Sequence, residues 1–263
     1  MANRTQEFTQ MYATERQQRI LTQARAAGRV EVAALADALA VTPETIRRDL
    51  TALESRGSLR RVHGGAIPVE RLEIEPTLAS RSIRHIDIKR RIAARILDEL
   101  PDGGTVLLDA GSTTQAIIEL LPADAELTVI TNSIPAAAAL ASRPGISLYV
   151  LGGRVRGVTA ATVGDWAEAA LADVVVDVAV IGTNGISAAR GLTTPDQAEA
   201  AIKSAMVAAA RRVIVATDSS KAGDDHLHRF AQLSDVDLVV TDADLSDDVA
   251  DELRAAGPEV VTA

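Results

Sequence analysis

The chain has 263 residues, no cysteine, 2% aromatic residues and a formal net charge of -9. That length supplies a small and a medium core, which must be built from Ala, Val, Leu and Ile. Disulfides, thiolate metal centres and cysteine nucleophiles are excluded, and with no run of about 18 apolar residues and no apolar stretch in MANRTQEFTQMYATERQQRI, the expectation is a cytoplasmic protein with no membrane partner.

The charge is unevenly spread. Residues 1–61 hold ten arginines and seven acidic residues, net +3, which leaves -12 for the remainder. A basic head on an acidic body suits a nucleic-acid-binding module joined to something of another kind.

Residues 1–13 are expected to form a flexible leader. From Glu15, ERQQRILTQARAAG places Ile20, Leu21 and Ala24 at helical spacing and stops at Gly28. A second helix follows in VEVAALADALAV, with Val32, Leu35, Ala36 and Leu39 on one face. Thr42 then supplies an N-cap and Pro43 the first helical position, where a missing N–H costs nothing. In the third helix Ile46, Leu50 and Leu53 are buried, Glu44, Thr45, Arg47, Arg48 and Thr51 lie on the other face or its flanks, and Gly57 ends it.

Two short helices joined by a tight turn, the second carrying threonine and paired arginines near its start, make a helix-turn-helix whose second helix enters the major groove. The tail SLRRVHGGA can form a strand, a Gly-Gly turn and a short return, which is a wing. A plain three-helix bundle with solvated arginines would lack a reason for the Thr-Pro cap and the RRVHGG tail together.

TPETIRRDLTALESRGSLRRVHGGA closely resembles the signature of the DeoR-type bacterial transcriptional regulators, over roughly residues 15–67. The resemblance implies sequence-specific binding to double-stranded operator DNA. It implies groove or phosphate contacts from Thr45, Arg47 and Arg48, with Arg47 favoured for a base, and wing contacts from Arg60, Arg61 and His63. The winged helix-turn-helix domain is accordingly expected over 14–67.

Residues 68–88 mix proline, charges and short apolar pieces and read as a linker, leading into a helix at about Lys89 to Leu100. From Thr105 apolar runs alternate with helical patterns: TVLLDA, LTVITN, ISLYVLGG, VVDVAVIG, RRVIVATD and VDLVVTD are strands, and a helix starts at Ser246. This predicts a larger Rossmann-like α/β domain over 89–263, with a largely parallel sheet covered on both faces. Ligands of such sheets bind beyond the strands' carboxyl ends. Five small, polar clusters fall there: Asp109 to Thr114 (with Gly111, Ser112 and Thr113), Thr131-Asn132-Ser133, Gly152-Gly153, Gly182-Thr183-Asn184-Gly185, and Asp218 to Lys221 with Ser220. The Gly-Ser-Thr-Thr turn is the strongest, since its N–H groups open a helix whose dipole favours an anion.

Only three lysines, Lys89, Lys203 and Lys221, stand against 24 arginines, so a retained lysine suggests a need for a compact charge. Glu199 and Lys203 lie four apart on one helix and, on spacing alone, read as a surface ion pair. His226 and His228 bring no identifiable further ligands, so no metal is expected, and no cofactor.

The body is similar to the DeoR-type sensor domain, itself related in fold to ribose-5-phosphate isomerase, through DAGSTT, TNS, GGR, GTNGI, TTPDQAEAAIKSAM and DSSK over about 78–236. The resemblance implies that Gly111, Ser112, Thr113 and Thr114 cradle a sugar phosphate. Lys221, oriented by Asp218, would meet the phosphate or a hydroxyl, and Glu199 with Lys203 would sit near the sugar end. Related isomerases carry an acidic loop where this chain has uncharged Gly-Thr-Asn-Gly, which removes the catalytic acids. A repressor of a carbohydrate-utilisation operon, controlled by a phosphorylated sugar and acting as a homodimer or homotetramer without catalytic residues, is therefore expected. The alternatives are an active sugar-phosphate isomerase with a DNA-binding head, and an architectural DNA binder with a degenerate body.

Overall fold

The structure, a computed structural model, describes residues 13–55, 58–62, 64–68 and 75–263, and it divides into two units with the boundary between Glu75 and Pro76. Gly57, His63 and all but the last residue of the expected leader lie outside the described residues.

The first unit contains α1 (Ala13–Ala27), β1 (Val30–Glu31), α2 (Val32–Ala38), α3 (Pro43–Ser55), β2 (Leu59–Val62) and β3 (Gly65–Pro68). Ile20, Ala24, Leu35, Ile46, Leu50, Leu53 and Leu59 close its core. Most of these are the positions selected by helical periodicity, because a helix this short is stabilised chiefly by burying one apolar stripe. The wing is larger than the Gly-Gly turn implies: β3 pairs antiparallel with β2 and also with β1, through Val30 opposite Ala66. Gly65 permits this, since a Cβ there would sit 2.0 Å from the Val30 carbonyl oxygen.

Among the described residues of this unit one charged residue is buried. Asp49, on the inner side of α3, accepts from Arg16 Nε at 2.5 Å and Nη2 at 3.3 Å and from Gln17 Nε2 at 3.0 Å. A carboxylate removed from water requires such partners.

The second unit begins with α4 (Leu78–Ile83) and α5 (Ile86–Leu97), both starting inside the stretch that composition marks as linker. His85 at φ 56° breaks the chain between them, and α5 starts three residues before Lys89 because Ile88, Ile92 and Ile96 form one apolar row. Seven strands then make one parallel sheet: β4 (Thr105–Leu108), β5 (Leu127–Thr131), β6 (Ile146–Val150), β9 (Val176–Gly182), β12 (Ala210–Ala216), β14 (Leu238–Thr241) and β15 (Glu259–Thr262), in the order β15-β14-β12-β9-β4-β5-β6.

Period-two alternation sorts the strand side chains into two cores. Val106, Leu108, Val129 and Val180 pack against α5, α6 (Ser112–Leu120) and α7 (Ile134–Leu140). Leu107, Ile130, Ala179 and Ile181 face α8 (Asp165–Leu171), α9 (Gln197–Ala208) and α10 (Asp247–Ala255).

Three short features escape the sequence patterns. These are a hairpin of β7 (Arg154–Arg156) and β8 (Ala161–Val163), the helix α8 that follows it, and a small antiparallel sheet of β10 (Gly185–Ser187), β11 (Gly191–Thr194) and β13 (His228–Ala231). Trp166 on α8 is 80% exposed.

Asp49→Ala is expected to strip a buried arginine of its counter-charge and destabilise the first unit by about 3 kcal/mol, the low end for a buried pair because Arg16 keeps some solvent contact. Urea unfolding followed by circular dichroism of residues 1–75 against native checks this; a change under about 0.5 kcal/mol, typical of surface positions, would refute it.

Candidate functional site

In the first unit the N-terminus of α3 is fixed by Thr42, whose hydroxyl accepts from Thr45 N at 3.2 Å and lies 2.9 Å from the Thr45 hydroxyl. Arg47 Nη1 donates to Glu44 at 3.3 Å between two exposed side chains, and Thr51 donates back to the Arg47 carbonyl at 2.9 Å. Arg48 is exposed. The wing is tied to this helix: Arg61 donates through Nη1 to the Thr51 hydroxyl at 3.2 Å and through its backbone N–H to Glu54 at 2.9 Å. Arg60 is half-buried on the alternate face of β2. One face therefore presents Arg47, Arg48, Thr51 and Arg61, held by short-range bonds that fix backbone more than they neutralise charge.

In the second unit all seven strands of the large sheet point the same way, so the carboxyl ends of β4, β5, β6, β9 and β12 share one rim. The strand order reverses at β4, and the crevice between β4 and β9 is the topological switch point. A buried ion pair occupies it. Asp109, 1% exposed, accepts from Lys203 Nζ and from Gly182 N at 3.1 Å, while Lys203 also donates to the Gly182 carbonyl at 2.9 Å.

Lys203 and Glu199 are thus not a surface ion pair. Both are buried and their partners differ: Glu199 accepts from Thr159 Oγ1 and from Arg156 Nη1 at 3.2 Å, and Arg156 also meets Asp196 at 3.1 Å. The spacing argument fails because α9 faces the β7–β8 hairpin on one side and the switch point on the other, so a shared helix face does not mean a shared solvent. A carboxylate so held by an arginine and a hydroxyl is poorly placed to abstract a proton.

Several predicted residues are engaged in building the rim. Thr131 donates to the Leu108 carbonyl at 2.6 Å, Asn132 bonds Ala110 N at 3.0 Å and the Thr162 carbonyl at 3.2 Å, and Ser133 caps α7. Thr183 donates to the Gly185 carbonyl at 2.7 Å, and the Asn184 carbonyl lies 3.2 Å from His226 Nε2. Gly153, at φ 133°, lets the chain pass the Val163 carbonyl, which a Cβ would approach to 2.8 Å; Gly152 has open space.

The Gly111–Thr114 turn is different. Gly111 precedes the first turn of α6, Thr114 donates to the Gly111 carbonyl at 2.9 Å, and Ser112 is half-buried with no side-chain hydrogen bond among the described residues. The loop after β12 also faces outward in part. Asp242, fully buried, accepts from Ser219 N at 2.6 Å and its hydroxyl at 2.9 Å and so anchors that loop, Asp218 accepts from Ser220, and Lys221 is half-buried. Burial works against the charge on Asp218, but Lys221, the Ser220 hydroxyl, Lys89 and His85 together hold its carboxyl below the usual range.

Lys89 belongs with this loop, although no motif included it. Its side chain, 5% exposed, sits in the field of Asp218 and Lys221, and burial lowers its ammonium to about 8 against the opposing pull of Asp218. Arg156, Thr159 and Asp242 were equally unmarked. The rarity of lysine is the one signal that could have found Lys89, since no local spacing relates residues 89 and 218.

Residues 16–71 match the family model of the DeoR-like helix-turn-helix domain, and residues 84–243 that of the DeoR C terminal sensor domain. The chain belongs to the DeoR family of transcriptional regulators. Among DeoR-type relatives it is 37% identical to the HTH-type transcriptional regulator GlpR of Haloferax volcanii, over 95% of this chain and 98% of that one. It is 34% identical to the HTH-type transcriptional repressor GlcR of Bacillus subtilis, over 88% and 89%. It is 28% identical to the Glycerol-3-phosphate regulon repressor of Escherichia coli, over 89% and 92%. A ribose 5 phosphate isomerase A from Neisseria gonorrhoeae resembles 51% of the chain, covering 52% of its own, at 18% identity and a TM-score of 0.38. A DeoR-type protein is a regulator rather than an enzyme, and the isomerase alternative falls with that. No helix among the described residues is long and apolar enough to cross a membrane.

Lys203→Met is expected to lower unfolding free energy by about 3–5 kcal/mol, because it leaves Asp109 charged and buried without its cation. Asp109→Asn with Lys203→Met should recover part of that loss. Urea denaturation of the two variants measures both, and equal instability of single and double variants would show that the charges are not coupled.

Proposed function

We propose that this DeoR-type regulator represses a carbohydrate-utilisation operon and that a phosphorylated sugar controls its grip on operator DNA. What supports the reading is that the Gly111–Thr114 helix start and the loop of Lys221 follow strands at the same end of one parallel sheet, with Lys89 in the field of Lys221. Backbone N–H groups at a helix N-terminus and two ammonium groups are suited to a dianion. The Ser112 and Thr113 hydroxyls and the half-buried Thr183 and Asn184 are suited to phosphate oxygens and sugar hydroxyls, whereas Asp109, Lys203 and Asn132 hold the loops in place. Relatives named as repressors, one for a glycerol-3-phosphate regulon, support the same class of effector.

On the DNA side, Thr45, Arg47, Arg48 and Thr51 are assigned to the major groove and Arg60, Arg61 and His63 to the wing's contacts. A two-fold operator would be read by a homodimer or a larger even assembly. The effector acts by binding the DNA-competent and DNA-incompetent arrangements with different affinity.

Two outcomes are expected. In a thermal-shift screen, sugar phosphates but not their unphosphorylated parents stabilise the protein, by about 2.7 kcal/mol at 100-fold above the dissociation constant. Ser112→Ala combined with Lys221→Ala abolishes the response; its survival would place the phosphate elsewhere. On a duplex selected in vitro by the native protein, Arg47→Ala costs about 1–3 kcal/mol and relaxes one base position, while Arg48→Ala weakens all duplexes alike and lowers the salt slope by about one. Fluorescence anisotropy over a salt series reads both, and unchanged binding by both variants would refute the assignment of α3.

A further inference from the structure

The helix that opens the second unit is poorly anchored by packing. α4 buries none of its residues, and Ile83 at its end is 80% exposed. An element with few buried apolar contacts opens easily, so its position depends on the polar contacts it makes. Three hold it. The Thr77 hydroxyl caps its start, accepting from Ser80 N at 3.3 Å, and Leu78 N donates to the Val158 carbonyl at 2.7 Å in the β7–β8 turn. At its other end, Lys89 Nζ donates to the carbonyls of Arg81 at 2.5 Å and Arg84 at 2.6 Å, which a helix C-terminus leaves without intrahelical partners.

An ammonium has three protons to donate, and two of Lys89's are spent on α4. The third has no partner among the described residues. The same ammonium lies in the field of Asp218 and Lys221, and α4 packs beside α6, whose first residues form the Gly-Ser-Thr-Thr turn.

We propose that Lys89 is the bridge through which a phosphorylated ligand at the carboxyl rim fixes α4: its third proton meets the ligand while the other two hold the carbonyls of Arg81 and Arg84. This rests on the phosphate reading of the rim given above, and adds the residue that carries occupancy to the segment following the DNA-binding unit. A charged group strengthens the hydrogen bonds its partner makes, because a fully protonated ammonium is a better donor to a carbonyl than one shared with its neutral form. Burial opposes the protonated form, Asp218 favours it and Lys221, Arg81 and Arg84 oppose it, and a dianion tips that balance toward the cation. Lys89 is therefore a positioning residue for α4 as well as a ligand of the rim.

The test is backbone hydrogen exchange of residues 78–86 in the full chain, with and without inorganic phosphate or a set of triose and hexose phosphates, with binding measured separately by calorimetry. In the native protein a phosphate that binds should slow exchange in this segment by about threefold or more, a shift well above scatter for a weakly held helix. In Lys89→Met the phosphate should bind more weakly and leave the segment's exchange unchanged, and Lys89→Arg should restore part of the protection. Binding to the native protein without protection of 78–86, or protection that persists in Lys89→Met, overturns the bridge and leaves the phosphate site standing. Failure of every phosphate to bind overturns the site and the bridge with it.

Should Lys89→Met not fold, the native protein decides by proton uptake. From about pH 7.5 to about pH 9.5 a hexose phosphate is already a dianion, and because burial lowers the Lys89 ammonium, its binding should draw protons onto Lys89 within that range, seen as a dependence of binding enthalpy on buffer ionisation. Zero uptake across the whole range overturns the proposal.

Discussion

The buried pair of Asp109 and Lys203 is the constraint on which the second unit's geometry depends. It joins the end of β4 to α9 and, through both Gly182 backbone groups, to the end of β9. These two strands flank the switch point, where neighbouring crossovers leave in opposite directions and a gap opens in the helical layers. In many such sheets the gap is filled by ligand; here it is closed by a carboxylate and an ammonium inside the protein. Half-buried polar groups thereby stand further out, in the turn after Ala110 and the loop after β12.

That displacement explains the division of labour along the rim. Residues nearest the sheet, Thr131, Asn132 and Asp242, are buried and spend their polar atoms on backbone groups of neighbouring loops. Those one step further out, Ser112 and Lys221, remain half-buried. A loop that must present a hydroxyl or an ammonium at a fixed place needs an inner layer of satisfied hydrogen bonds, and mobile water alone would not supply it.

The architecture was legible wherever period and burial coincide. Leu107 and Leu108 sort to opposite faces as alternation requires, and Ile46, Leu50 and Leu53 form the buried stripe of α3. The hairpin β7–β8 was not legible, since strands of three residues carry too little pattern to outweigh the glycines and threonines around them. α4 was missed for a related reason: a helix that buries nothing shows no periodicity. Within the site, spacing placed Glu199 and Lys203 on one helix correctly but not in one environment, because burial is decided by the hairpin and the distant Asp109. Lys89 lay in a helix that was foreseen, yet its neighbours come from residues 81, 84 and 218, and only the fold brings these together.

The position of Trp166 has a spectroscopic consequence. It is the chain's single tryptophan, and on the outer side of α8 its indole already meets solvent. Its emission in the folded protein should resemble that of an unfolded chain, so melting of either aliphatic core would leave the signal almost unmoved. The same indifference makes it a clean reporter of one thing: whatever comes to lie against α8 will change the tryptophan's surroundings without a contribution from the interior.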